Sequence, residues 1–216
     1  MIRFLSLLLA IRHEILIMYY ATISDWMTTI IPPILMAIGA FYMRVFSSIV
    51  TYNDEPLEIV IYIIFPINQI TSVEEDRINK PFRPIPSGLI TVKGARYRLV
   101  AISIIFPIIA YIFGGLSLVS LCFLYQAWVI FNEVLKLSKN AICKNLFSAF
   151  SACIQLVSCH YIIIGTKLSI FELLNSELGM LMLAIFFFAM TTAHVQDFRD
   201  QKGDRFVGRK TFPLLI

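Results

Sequence analysis

The chain has 216 residues, 58% of them hydrophobic and 15% charged, with a mean hydropathy of +0.80. Soluble domains carry about 25% charged residues, so this composition excludes a soluble globular enzyme, a nucleic-acid binder and a disordered chain. At about 20 residues per membrane-crossing helix plus loops, the length holds six or seven spans, and residues 1–216 read as a single membrane domain.

In chain order, the stretch Phe4–Tyr20 is apolar but interrupted by Arg12, His13 and Glu14, and no small-residue cleavage site follows it. It reads as an amphipathic helix lying at the membrane interface. Six apolar runs follow: Trp26–Val45, Leu57–Ile70, Leu99–Phe113, Leu116–Phe131, Leu146–Gly165 and Leu178–Val195. Gly114-Gly115 alone connects the third and fourth. The fold class expected is all-α: a polytopic transmembrane bundle of about six spans plus the interfacial helix.

The 18 Lys and Arg residues test that count. Sixteen fall in the segments 3–12, 77–98, 136–144 and 199–210, and only Arg44 and Lys167 fall on the other set of connections. By the positive-inside rule the sixteen are cytoplasmic. The net charge of +4 is then mostly topology and no sign of a nucleic-acid partner. Cys122, Cys143, Cys153 and Cys159 show no CxxC or zinc spacing and read as small buried hydrophobes.

Two acidic clusters follow the second and sixth runs, on the same cytoplasmic face. Asp197, Asp200 and Asp204 are spaced i, i+3, i+7 and share one stripe of a helix. Asn68, Ser72 and Asp76 share a stripe too, if the second helix continues past the membrane. Carboxylates on one face repel, and both clusters are expected at helix C-termini, the wrong end for negative charge. A divalent cation reverses that penalty, and hard oxygen ligands completed by water and phosphate suit Mg²⁺. The competing reading is a solvated charged loop.

Lys80 and Arg83 lie in a segment stiffened by Pro81, Pro84 and Pro86. A guanidinium forks onto phosphate oxygens and an ammonium acts as a point charge, so this loop suits a diphosphate, or else anionic lipid headgroups. Lys144 and Asn145, at the start of the fifth span, reach the same site or serve as interfacial anchor and helix cap. His160 reads as a buried imidazole. His194 lies one turn before Asp197 and divides evenly between structural and functional roles.

The run NQITSVEEDRINKPFRPIPSG, from Asn68 to Gly88, resembles the first aspartate-rich motif and following loop of the UbiA superfamily of intramembrane prenyltransferases. QDFRDQKGDRFVGRKTFP, from Gln196 to Pro213, resembles the second. The resemblance implies an isoprenoid diphosphate held by Mg²⁺ in a helical bundle and ionised to an allylic carbocation. An aromatic or other small acceptor would then take the prenyl group. It carries metal-binding and catalytic roles onto Asn68, Asp76, Asp197, Asp200 and Asp204, and diphosphate binding onto Lys80 and Arg83. Gln69 and Ser72 stand where the usual pattern has Asp; this, with the NKPxRP run, resembles a fungal branch that also contains membrane-bound terpene cyclases. Glu75 is a candidate replacement carboxylate.

The family usually has about nine helices, so the resemblance leaves the chain about three short. It is then a shortened chain, a bundle completed by self-association, or a non-catalytic remnant. In a eukaryote the expected location is the endoplasmic reticulum membrane.

Overall fold

The computed structural model describes residues 2–23, 70–164 and 169–215. The first two expected spans, apart from Ile70, lie outside the described residues, as do Asn68, Arg44 and Lys167. Among the described residues the structure is all-helical. The helices are α1 (Ile2–Thr22), α2 (Val73–Asn79), α3 (Val92–Leu135), α4 (Ala141–Ile164), α5 (Ile170–Leu174), α6 (Glu177–Thr192), α7 (Asp197–Phe206) and α8 (Phe212–Leu215).

Five segments are long and apolar enough to cross a membrane: one in α1, the two halves of α3, one in α4 and one beginning with α6. Their outward side chains are large and apolar, including Ile112, Leu116, Phe187 and Phe188. Such a surface is compatible with hydrocarbon as solvent and not with water. The chain is an integral membrane protein.

The expected boundary between the third and fourth spans is a true break: Gly115 has φ 61° and ψ −156°, a backbone state reserved for glycine. The chain reverses there, and Ala110, Leu118 and Cys122 form a small buried core beside the reversal. The other end of α3 stops at Lys136, which adopts a left-handed conformation. A 3₁₀ turn, Leu137–Lys139, then delivers Asn140, whose Oδ1 accepts from the backbone N–H groups of Ile142 and Cys143 at 3.0 and 3.2 Å. That cap starts α4 at Ala141, five residues before the expected Leu146, and α4 packs chiefly against α6 and the second half of α3. An aromatic cluster binds these helices together: Trp128 stacks on Phe131 and Phe147 and meets Phe150 edge-on, and Phe150 meets Phe186.

The N-terminal segment is one continuous helix, Ile2–Thr22. The charges that seemed to interrupt it do not break α1, because Glu14 ion-pairs with Arg98 near the start of α3. By length and composition α1 is able to cross the membrane. The four cysteines are free thiols, three of them buried and Cys143 half-buried.

Candidate active site

Three stretches distant in sequence meet at one end of the bundle: α2 with the loop from Lys80 to Ile90, the α3–α4 connection with the start of α4, and α7 with the C-terminal residues 207–215. Ion pairs join Lys80 to Asp200 and Lys144 to Asp197, and a backbone N–H of Lys210 donates to the Lys139 carbonyl at 2.8 Å. Three of the four basic segments that the sequence assigns to one face, 77–98, 136–144 and 199–210, therefore converge, and the acidic residues lie among them.

The carboxylates are buried. Asp197 and Asp204 are fully enclosed, Asp76 is 1% exposed, and Asp200 and Glu75 are scarcely more open. Burying five ionised carboxylates is prohibitive unless each is paired, and each has a cationic neighbour. One Arg83 nitrogen donates to both oxygens of Asp76, at 2.7 and 2.8 Å. Lys80 Nζ lies 3.1 Å from Asp200, which also receives Arg199 Nε at 3.0 Å. Lys144 bonds Asp197. Arg209 forks onto Glu75 with both contacts at 2.9 Å and lies 3.7 Å from Asp204. Burial nevertheless pushes the Glu75 carboxyl up to about 7, the Arg209 charge pulling the other way.

One expectation is overturned. The helix breaks at Ser72, so Glu74, Glu75 and Asp76 occupy the first turn of α2. A 3₁₀ turn, Ala193–Gln196, likewise separates α6 from α7 and puts Asp197 and Asp200 in the first turn of α7. Glu74, Glu75, Asp76, Asp197 and Asp200 thus sit at helix N-termini, where the backbone dipole favours negative charge, while Asp204 lies toward the other end of α7. For the first five the supposed dipole penalty is no argument for a cation.

The loop after α2 is ordered by its own backbone bonds, Arg83 N–H to the Lys80 carbonyl at 3.0 Å and Ile90 N–H to the Pro84 carbonyl at 3.0 Å. Pro84 is fully buried. This folding returns Arg83 to Asp76 seven residues earlier. Asn145 is not the cap of α4, since Asn140 is, and the Lys144 ammonium is turned to Asp197. Asn145 is buried; its Nδ2 donates to the Met190 carbonyl at 2.7 Å and lies 3.4 Å from His194 Nδ1. The structure thus brings together Asp76, Lys80, Arg83, Lys144, Asn145, Asp197, Asp200 and Asp204. His160 lies half-buried along α4, outside this group.

Several members have no counterpart in the sequence reading. Asn79 Nδ2 donates to the Asp200 carbonyl, and its Oδ1 accepts from Gly203 N–H, both at 2.8 Å. One amide therefore stitches α2 to α7. A Cβ on Gly203 would come within 2.3 Å of that amide, so the close approach requires glycine. Thr211, fully buried, donates to Asp204 Oδ2 at 3.1 Å. Asn132 is buried at the same end of α3.

Among the described residues no three His, Cys, Asp or Glu side chains are arranged to hold a metal ion by themselves. Two buried carboxylate oxygens, Asp197 Oδ2 and Asp204 Oδ1, nonetheless have no hydrogen-bond partner, and neither does Asn145 Oδ1. Unsatisfied hard oxygens among carboxylates fit Mg²⁺, which keeps waters and takes part of its shell from substrate phosphate.

A family model described as UbiA prenyltransferase family matches residues 59–216. The chain belongs to the UbiA prenyltransferase family. It is 31% identical over 215 residues to a polyprenyl transferase of Hericium erinaceus, covering 95% of this chain and 70% of that protein. It is also 31% identical over 219 residues to a diterpene cyclase of the same fungus, covering 98% of this chain and 67% of that protein. A fumagillin beta-trans-bergamotene synthase of Aspergillus fumigatus is 35% identical over 150 residues, covering 69% of this chain and 49% of that protein. The UbiA relatives thus divide between prenyl transfer and terpene formation at similar identity. No solved structure matches the chain.

Proposed function

We propose that this chain ionises an isoprenoid diphosphate with Mg²⁺ and transfers the prenyl group to a small acceptor. The observation that carries the reading is the burial of two opposed acidic segments, with Lys and Arg between them, at one end of an apolar bundle. Asp76, Asp197, Asp200 and Asp204, with Asn68 outside the described residues, would hold the metal. Bound Mg²⁺ supplies Lewis-acid stabilisation of the departing diphosphate.

The chain's own residues do the rest. Lys80, Arg83 and Lys144 already face the carboxylates, at distances suited to exchanging a carboxylate partner for a phosphate oxygen. Asn145 braces α4 against α6 beside them. Charge that develops on the leaving diphosphate therefore meets oriented positive groups. The apolar spans take the hydrocarbon tail and keep water from the allylic cation. The distribution of Lys and Arg supports an acidic end that faces the cytoplasm, and in a eukaryotic cell the endoplasmic reticulum is the expected membrane.

A second reading, a terpene cyclase in which a double bond of the substrate captures the cation, is favoured by the equal identity to a transferase and a cyclase. Membranes bearing the chain, incubated with labelled farnesyl and geranylgeranyl diphosphates and Mg²⁺, with and without aromatic acceptors, separate these. Acceptor-dependent product supports transfer, and a hydrocarbon formed without acceptor supports cyclisation. Absence of diphosphate release by folded protein refutes both and leaves a non-catalytic membrane protein.

A further inference from the structure

Glu75 is the natural candidate for a carboxylate that replaces the motif aspartate missing at Ser72. The geometry points elsewhere: we infer that Glu75 is the anchor of Arg209, and that Arg209 is a positioning residue tying the end of α7 to α2. The inference rests on the proposed function only for its metal-binding readout.

Arg209 arrives at Glu75 because of how α7 ends. Gly208 N–H bonds the Arg205 carbonyl at 3.3 Å, and Arg209 N–H bonds the Asp204 carbonyl at 2.8 Å. Gly208 carries φ +71°. Paired reversed bonds around a left-handed glycine are the Schellman termination, which folds the chain back across the last turn. The reversal carries the Arg209 side chain to α2, where its two terminal nitrogens meet the two oxygens of Glu75 at 2.9 Å each. The same guanidinium donates to Ser72 Oγ at 3.4 Å. Two residues on, Thr211 bonds Asp204 Oδ2, while Arg209 stands 3.7 Å from Asp204 Oδ1.

Both Glu75 oxygens are therefore directed at the guanidinium. Asp204, by contrast, keeps one oxygen without a hydrogen bond. Ser72, where the usual motif has Asp, occupies the space beside the fork. A second acid there would crowd a like charge against Glu75, whereas a hydroxyl accepts from Arg209. The pair is mostly withdrawn from water, with side-chain exposures of 14% and 8%, so breaking it from one side strands a buried charge.

The experiment is a double-mutant cycle on the detergent-solubilised chain: wild type, Glu75→Gln, Arg209→Gln and the double variant. Thermal unfolding is followed without metal. Each single variant should melt several degrees lower, and the double should recover most of that loss, because no unpaired charge remains. Arg209→Lys should not recover it, since an ammonium cannot fork. Losses that simply add would overturn the inference. If a single variant fails to accumulate, accumulation of the double carries the same support, and failure of the double as well overturns it.

Mn²⁺ binding in the presence of inorganic pyrophosphate, read by electron paramagnetic resonance, distinguishes an anchor from a ligand. In Glu75→Gln the freed Arg209 can close on Asp204, so affinity should fall about tenfold, and the double variant should return to within about threefold of wild type. A double variant at least as weak as Glu75→Gln would mean that Glu75 binds the cation. Absence of Mn²⁺ binding by the wild type would refute the proposed function, while the melting cycle would still decide the pair.

Discussion

The carboxylates of the two acidic segments solve the same electrostatic problem by different means. Asp76 on α2 is held by Arg83 only seven residues later, through a loop that closes on itself. Asp197 and Asp200 of α7 depend instead on distant partners, Lys144 and Lys80, and Glu75 of α2 reaches as far as Arg209, whereas Asp204 is held close in sequence by Thr211 and Arg209 after a reversal of the chain. Asp76 and Asp204 are held by local devices, and Asp197, Asp200 and Glu75 by tertiary packing. Mutations at the first pair should therefore act locally, and those at the other three should spread across the seam.

The largest effects are expected on the reaction. Asp76→Asn and Asp200→Asn should each lower diphosphate release per folded molecule by about a hundredfold or more, beyond any loss of protein from stranding Arg83 or Lys80, because each removes a charge that would stabilise the transition state. Assay of release alongside immunoblotting of membranes checks this; retained activity in either would misplace the ligands. Lys144→Met comes next. It strands Asp197, which has no exposure to water, and should cost about 3–5 kcal/mol in denaturant unfolding. An effect under 1 kcal/mol would show that the α4–α7 pair is not needed to balance the buried charge.

Smaller effects follow at the seam between the two segments. Asn79→Ala deletes both hydrogen bonds joining α2 to α7 and should cost about 1–3 kcal/mol. Gly203→Ala forces a methyl against the Asn79 amide and should cost about the same. The two changes should be strongly non-additive when combined, because they damage one contact. Gly208→Ala meets no atom within 4 Å. It should cost only about 1 kcal/mol, the strain of a left-handed backbone, as read from the shift in melting temperature.

Much of this arrangement is legible in the sequence. Apolar runs and Gly114-Gly115 place the later spans, and the spacing of Asp197, Asp200 and Asp204 places three buried carboxylates on one helix. The starts of α2, α4 and α7 are less legible, because apolar length marks where a helix enters the bilayer and not where a cap or 3₁₀ turn begins it. Asn140 is one residue among many polar ones in its connection, and only the fold identifies it as the cap. Asn79, Gly203, Arg209 and Thr211 escape for a related reason. Each acts by meeting a partner across a tertiary seam, Asn79 and Gly203 being 124 residues apart, and periodicity carries no trace of such pairs. Glu75 shows the converse: its residue type suggests a ligand, and only the position of Arg209 reveals a different partner.

The most direct test is diphosphate release from labelled geranylgeranyl and farnesyl diphosphates by the purified, folded chain, with and without Mg²⁺. The expected result is release that requires Mg²⁺ and disappears in Asp200→Asn. No release from either substrate by folded protein, or release that is indifferent to Mg²⁺ and to Asp200, would contradict it.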